Sequence, residues 1–173
     1  MGLTRLASTG YSAKVSTTRP ANTTPAYDAN DVVGATAAAW TFPDVGPSDA
    51  WQNDLLGANI MITSASLRVN LTAVPATMTS FRLYLYNVTP PSALADKAAF
   101  DLPDGDRSGF LGYIDLGTPI DIGSTLYVQT DGINKQVTLA AGSSTLYGYL
   151  VTNGTYTPTS GEVYAIELNT AAM

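Results

Sequence analysis

The chain has 173 residues, 14 of them acidic and 8 basic, for a formal net charge of -6, and it contains neither histidine nor cysteine. Without imidazole or thiol there is no Ser-His-Asp or Cys-His nucleophile, no disulfide and no thiolate metal site, so catalysis would fall to carboxylate, lysine or tyrosine. So few basic side chains also argue against a nucleic-acid partner, whose phosphates are held mostly by Lys and Arg.

The length suits one domain that buries roughly 70% of its unfolded surface and needs no disulfide or metal staple. Charged residues are 13% of the chain, against about 25% in an ordinary soluble domain. Such a lightly charged surface suits contact with other protein. The hydrophobic fraction of 45%, with aromatic residues spread along the whole chain, argues against disorder. MGLTRLASTGYSAKVS lacks the apolar run of a signal peptide, and no stretch reaches the ~20 apolar residues of a membrane span. The expectation is a protein made in the cytoplasm, with no membrane partner and no cofactor. Asn-x-Thr triplets at Asn22, Asn70, Asn87 and Asn153 follow from a composition rich in Asn and Thr.

Residues 1–30 are small, polar and punctuated by proline, and predict an extended N-terminal arm ahead of a domain over 31–173. Within the arm, Tyr11, Ala13, Val15 and Thr17 alternate as in a strand. That strand could add to a neighbour's sheet or be the first strand of the chain's own. Val32 to Phe42 predicts a strand, because Gly34, the β-branched residues and Pro43 outweigh the alanine run. Ile60 to Leu71 is another, with a bulge near Ser64. From Ser80 to Val88, Phe81, Leu83 and Leu85 share one face, and Arg82, Tyr84, Tyr86 and Val88 the other. The first face is core, and the second displays tyrosines.

Ser92 to Phe100 carries the helical signal of the chain, with Ser92 as N-cap. Strands then follow at Gly109 to Leu116, Thr125 to Thr130, Lys135 to Leu139, Thr145 to Val151 and Glu162 to Leu168. Gly, Asn, Asp and Pro turns separate them, Asp131-Gly132 and Asn153-Gly154 among them. Eight or nine strands at hairpin spacing with one short helix predict an all-β fold, an antiparallel β-sandwich of jelly-roll type.

Three constellations could carry chemistry. Asp101, Asp104 and Asp106, with Asp96 upstream, resemble oxygen ligands for calcium but lack the rest of an EF-hand loop, so a solvated turn with Arg107 as counter-charge is favoured. A glycosidase would need paired carboxylates on strands lining a cleft; the two glutamates, Glu162 and Glu167, both lie near the C-terminus, and Asp115 and Asp121 flank a Gly-Thr-Pro turn as strand-end residues, so hydrolase chemistry is not expected. Trp40 and Trp51 bracket an acidic loop and could stack on sugar rings, although large aromatics in a sandwich more often anchor the core. Neither a nucleotide-binding loop nor a G-x-S-x-G elbow is present.

The segments FDLPDGDRSGFLGYIDLGTPIDIGSTLYVQTDGINKQVTL, YSAKVSTTRPANTTPAYDANDVVG and STLYGYLVTNGTYTP resemble small virion head proteins of tailed bacteriophages. The likeness is one of overall pattern, from about Tyr11 to Leu168. It implies a capsid decoration, or cement, protein on the outer surface of the head: not an enzyme, partnered by the phage major capsid protein, and homo-oligomeric, with a trimer favoured. Tyr11, Lys14 and Arg19 of the arm are then the expected capsid contacts. The alternative is a carbohydrate- or receptor-binding module of a fibre that uses Trp40 and Trp51.

Overall fold

A computed structural model describes residues 10–21, 25–42, 57 and 59–172. Nine antiparallel strands are β1 (Gly10–Thr18), β2 (Val32–Thr41), β3 (Asn59–Val69), β4 (Phe81–Tyr86), β5 (Phe110–Gly117), β6 (Ile120–Asp121), β7 (Leu126–Thr138), β8 (Thr145–Thr152) and β9 (Val163–Ala172). They form two sheets, ordered β1-β9-β3-β7-β6 and β2-β8-β4-β5. With the two-residue β6 set aside, first pairs with last inward along the chain: β1 with β9, β2 with β8, β3 with β7, β4 with β5. Two further pairings, β3 with β9 and β4 with β8, close each sheet. This is one long hairpin rolled up on itself, the jelly roll expected from the strand spacing.

Alternation along each strand builds the core. Phe81, Leu83 and Leu85 of β4 are fully buried between the sheets, with Leu67 and Val69 of β3 and Ile166 of β9 opposite. Trp40 is 0% exposed and donates its indole N–H to the Ile166 carbonyl at 3.1 Å. Its ring lies over Gly148, where a Cβ would come 3.1 Å from the indole and 2.6 Å from the Tyr84 carbonyl oxygen. No side chain fits there, so a glycine in mid-strand lets the tryptophan fill the core.

Three expectations change. The helix over Ser92 to Phe100 does not form; this stretch is a strap. Lys97 donates its backbone N–H to Val32 O, Val32 donates to Ala98 O, and Phe100 donates to Asn30 O, while Lys97 takes a φ of 67°. An isolated nine-residue helix is marginal, and these hydrogen bonds to the start of β2, with Leu94 and Phe100 turned onto the tyrosines below, outweigh it. The described helical turn is a 3-10 helix at Asp104–Gly109.

The two strands expected around Asp131-Gly132 are one, β7. Its partners on β3 jump from Asp131↔Ser64 to Lys135↔Ile62, so the dipeptide makes a bulge, with Gly132 at φ 67° and Asn134 at φ 49°, rather than a hairpin. The bulge expected near Ser64 is the β3 side of the same irregularity. Lastly, Gly10 to Thr18 of the expected arm pair with Ala171 to Val163 of the same chain, residue for residue. The alternation that buries Tyr11 and Ala13 is satisfied by the chain's own sheet, so this part of the arm is an edge strand.

Candidate functional site

The two sheets treat their outer faces differently. On the four-stranded sheet, Tyr149, Tyr84 and Tyr113 lie in one cross-strand row, and Tyr147, Tyr86 and Phe110 in the next. The strap between β4 and β5 covers most of these rings: Phe100 stacks on Tyr84 with centroids 3.8 Å apart, and the Tyr149 hydroxyl donates to Ser92 O and accepts from the Leu94 N–H, both at 3.2 Å. Tyr86 and Tyr149 meet edge to face at 6.3 Å. A second apolar core therefore lies outside the sandwich, and burial raises the Tyr86 pKa well above its ordinary value.

A buried ionic cluster pins this cover at one end. Arg19, 1% exposed, reaches from the end of β1 to the strap residue Asp96, Nε to Oδ2 at 3.4 Å, and to Pro25 O at 3.0 Å. The other Asp96 oxygen accepts from the Tyr27 hydroxyl at 2.5 Å and from the Gly34 N–H at 2.8 Å. The guanidinium lies over the Tyr27 ring, 4.8 Å from its centroid. Beside it, Tyr156 and Tyr164 share a hydrogen bond, and Tyr164 donates to the buried Glu162. Burial is the first cause raising the pKa values of Tyr27, Tyr156 and Tyr164, with the carboxylates adding to it.

The outer face of the five-stranded sheet carries no described cover. Its residues are mostly small or polar: Ser12, Lys14 and Ser16 on β1, Ala165 and Asn169 on β9, Ser64 and Ser66 on β3, Gln129 on β7. One polar chain crosses it. Glu167 accepts from the Ser12 hydroxyl at 3.0 Å and from Arg68 at 3.2 Å; Arg68 lies over the Tyr127 ring at 5.8 Å; Tyr127 donates to Gln129, and Gln129 to Asp131. At the margin Ile120 stands beside Tyr127, and Ile120 and Ile122 are 63% and 59% exposed. Short, weakly charged side chains across a sheet make a surface another protein can approach closely.

The expected site residues are scattered by this geometry. Tyr11 is 7% exposed and Arg19 is buried, so both are internal; Lys14 is exposed on the open face. Trp40 is a core anchor with its N–H satisfied, which removes it from sugar stacking, and Trp51 lies outside the described residues. The aspartates near residue 104 do separate jobs. Asp106 is buried and accepts from the Ser92 N–H at 3.2 Å, Asp104 pairs with Arg107 at 2.6 Å, and Asp101 caps the Leu102 N–H at 2.8 Å. Among the described residues no group of three or more acidic side chains could hold a metal ion. Glu162 is buried while Glu167 is on the open face; Asp115 pairs with Arg82 at 2.7 Å, and Asp121 accepts from the Gly123 N–H. Sequence inspection passed over Arg68, Tyr127, Ile120 and Ile122, whose signal is the alternation on β3 and two isoleucines spaced by one residue within a turn.

No protein-family model and no curated protein matches the chain. Among solved structures, a full particle of Israeli acute paralysis virus heated to 63 degrees overlaps 95% of this chain and 71% of its own, at 13% identity and a TM-score of 0.30. A pentamer of the same virus overlaps 95% and 88%, at 12% identity and a TM-score of 0.28. At those scores the overlaps carry no argument, and a functional reading must stand on the chain's own geometry.

Proposed function

We propose that the chain is a virion structural protein, a decoration or cement protein that binds the outer surface of a tailed-phage head through the open face of its five-stranded sheet. The observation that carries this reading is the asymmetry of the sandwich: one outer face is covered by the chain's own strap, the other is lightly charged and bare of that strap. Lys14, Arg68, Glu167 and Asp131 are charged groups a partner meets there, and the exposed Ile120 and Ile122 offer apolar area at its margin. On this reading the chain carries out no chemistry, takes no cofactor, is made in the host cytoplasm and acts on the major capsid protein as a homo-oligomer, a trimer at local threefold positions being the arrangement lattice symmetry favours. A protein that binds only the assembled, expanded lattice stabilises it by mass action, multiplied over many copies.

Co-sedimentation with purified expanded heads tests the proposal. Full-length protein is expected to pellet with them, and Ala165→Arg, which places a long cation in mid-face without touching the core, is expected to stay in the supernatant while melting as wild type does. Failure of the unmodified chain to bind expanded heads would sink the reading. Equal binding by Ala165→Arg would move the contact to another surface.

A further inference from the structure

We propose that Tyr113, Arg82 and Asp115 form a binding site for a neutral hexopyranose ring, at the point where the tyrosine row emerges from under the strap. Tyr149, Tyr84 and Tyr113 are cross-strand neighbours on β8, β4 and β5. The first is buried and the second sits under Phe100, but Tyr113 is 47% exposed. The register between β4 and β5 shifts next to it, with Gly112 at φ 88°; such a bulge re-aims the side chains around it. Tyr84 backs the Tyr113 ring at a centroid distance of 5.5 Å.

Beside that ring lies a fixed donor and a fixed acceptor. Arg82 lies over Tyr113 at 5.0 Å and bonds through Nε to Asp115 Oδ1 at 2.7 Å, yet the two side chains remain 38% and 60% exposed. Arg82 also hydrogen-bonds the Tyr84 side chain; with five N–H donors on the guanidinium and about four lone-pair directions on the carboxylate, these bonds leave both groups with capacity toward solvent. A hexopyranose presents a patch of C–H groups on its ring face and hydroxyls that both donate and accept around its rim. The first matches a half-exposed tyrosine ring, the second a planar donor and acceptor already held in place. Because the charges of Arg82 and Asp115 cancel, the site favours a neutral sugar over a sialylated or sulfated one. The site is on the opposite sheet from the open face and is independent of the capsid reading.

The full chain is to be titrated with maltohexaose, cellohexaose, laminarihexaose and chitohexaose, followed by saturation-transfer NMR and calorimetry. At least one is expected to bind, with Tyr113→Ala and Arg82→Met each weakening it about tenfold, equivalent to about 1.4 kcal/mol, while Tyr113→Phe retains binding and all three variants melt as wild type does. Absence of binding by all four oligosaccharides overturns the proposal, as does binding that survives Tyr113→Ala. If Tyr113→Ala instead reduces co-sedimentation with heads and no sugar binds, the ring belongs to a protein contact and the sugar site is refuted, with the capsid reading left standing.

Discussion

Arg19–Asp96 and Arg68–Glu167 are both arginine–carboxylate pairs at 3.2 to 3.4 Å, yet they belong to opposite regimes. The first has side chains 0% and 10% exposed and holds the strap over the four-stranded sheet. The second, 39% and 27% exposed, crosses the face of the five-stranded sheet that no described residue covers. Removing one partner of a buried pair strands a charge, whereas a surface pair is worth little because water competes for both ends. One face of the sandwich is thus committed to stability, and the other carries no cover among the described residues.

The largest expected effect comes from pH, through the buried tyrosines of the sealed end and face. Tyr27, Tyr86, Tyr156 and Tyr164 all have pKa values raised above the ordinary 10.0, burial first among the causes. A raised pKa means that folding favours the neutral phenol. That contribution is intact below pH 10, where the unfolded tyrosines are also neutral, and is lost as pH rises from there toward the folded values. Each tyrosine then forfeits up to about 1.4 kcal/mol per pH unit, so denaturant midpoints are expected to collapse between about pH 10 and 12. With no histidine or cysteine to titrate, the midpoint should be flat from about pH 6 to 9. A sloping profile there would show that carboxylates or another group govern stability instead.

Asp96→Ala comes next. It leaves the Arg19 guanidinium, the Tyr27 hydroxyl and the Gly34 N–H without their shared acceptor, and should lower unfolding free energy by about 3–5 kcal/mol. Denaturant titration checks it. A loss under about 1 kcal/mol would mean the cluster is hydrated and the two pairs are alike after all.

The all-β sandwich was legible because strands such as that of Phe81, Leu83 and Leu85 announced their inward face by alternation, and because Gly, Asn and Asp marked most of the ends; the order of the strands was not, since it is set by pairings between distant parts of the chain. What misled was local signal overruled by distant partners. Ser92 to Phe100 has helical propensity, but its backbone groups bond to Val32 and Asn30, some 65 positions earlier in the chain. Arg19 reads as a surface cation in a polar arm; only the fold brings Asp96, 77 residues away, to meet it. The open face was harder still, since a lightly charged strand looks the same whether a strap covers it or not. Composition pointed to a surface suited to contact without saying which one.

Phe100→Ala probes the seal itself. The ring is half-buried and stacked on Tyr84, so its loss should cost about 1–2 kcal/mol, less than truncation of a fully enclosed aromatic. Hydrogen exchange should rise in the strap and leave β3 and β9 unchanged, because the second core is separate from the one between the sheets. Exchange that rises throughout would merge the two cores into one cooperative unit.

The smallest expected effect is Glu167→Ala. The carboxylate accepts from Ser12 and Arg68, but both of these groups can turn to water when it is removed, so the loss should stay within about 1 kcal/mol, a shift in melting temperature of roughly 2–4 °C for a chain of this size. Salt should shrink it further, since partly exposed pairs are screened. The same change removes one of the charged groups of the open face, so its effect on co-sedimentation with expanded heads should exceed its effect on melting. That inequality separates a docking face from a structural one: if Glu167→Ala unfolds the protein as readily as Asp96→Ala does, the polar chain from Ser12 to Asp131 holds the sheet together, and the asymmetry between the two faces is one of appearance only.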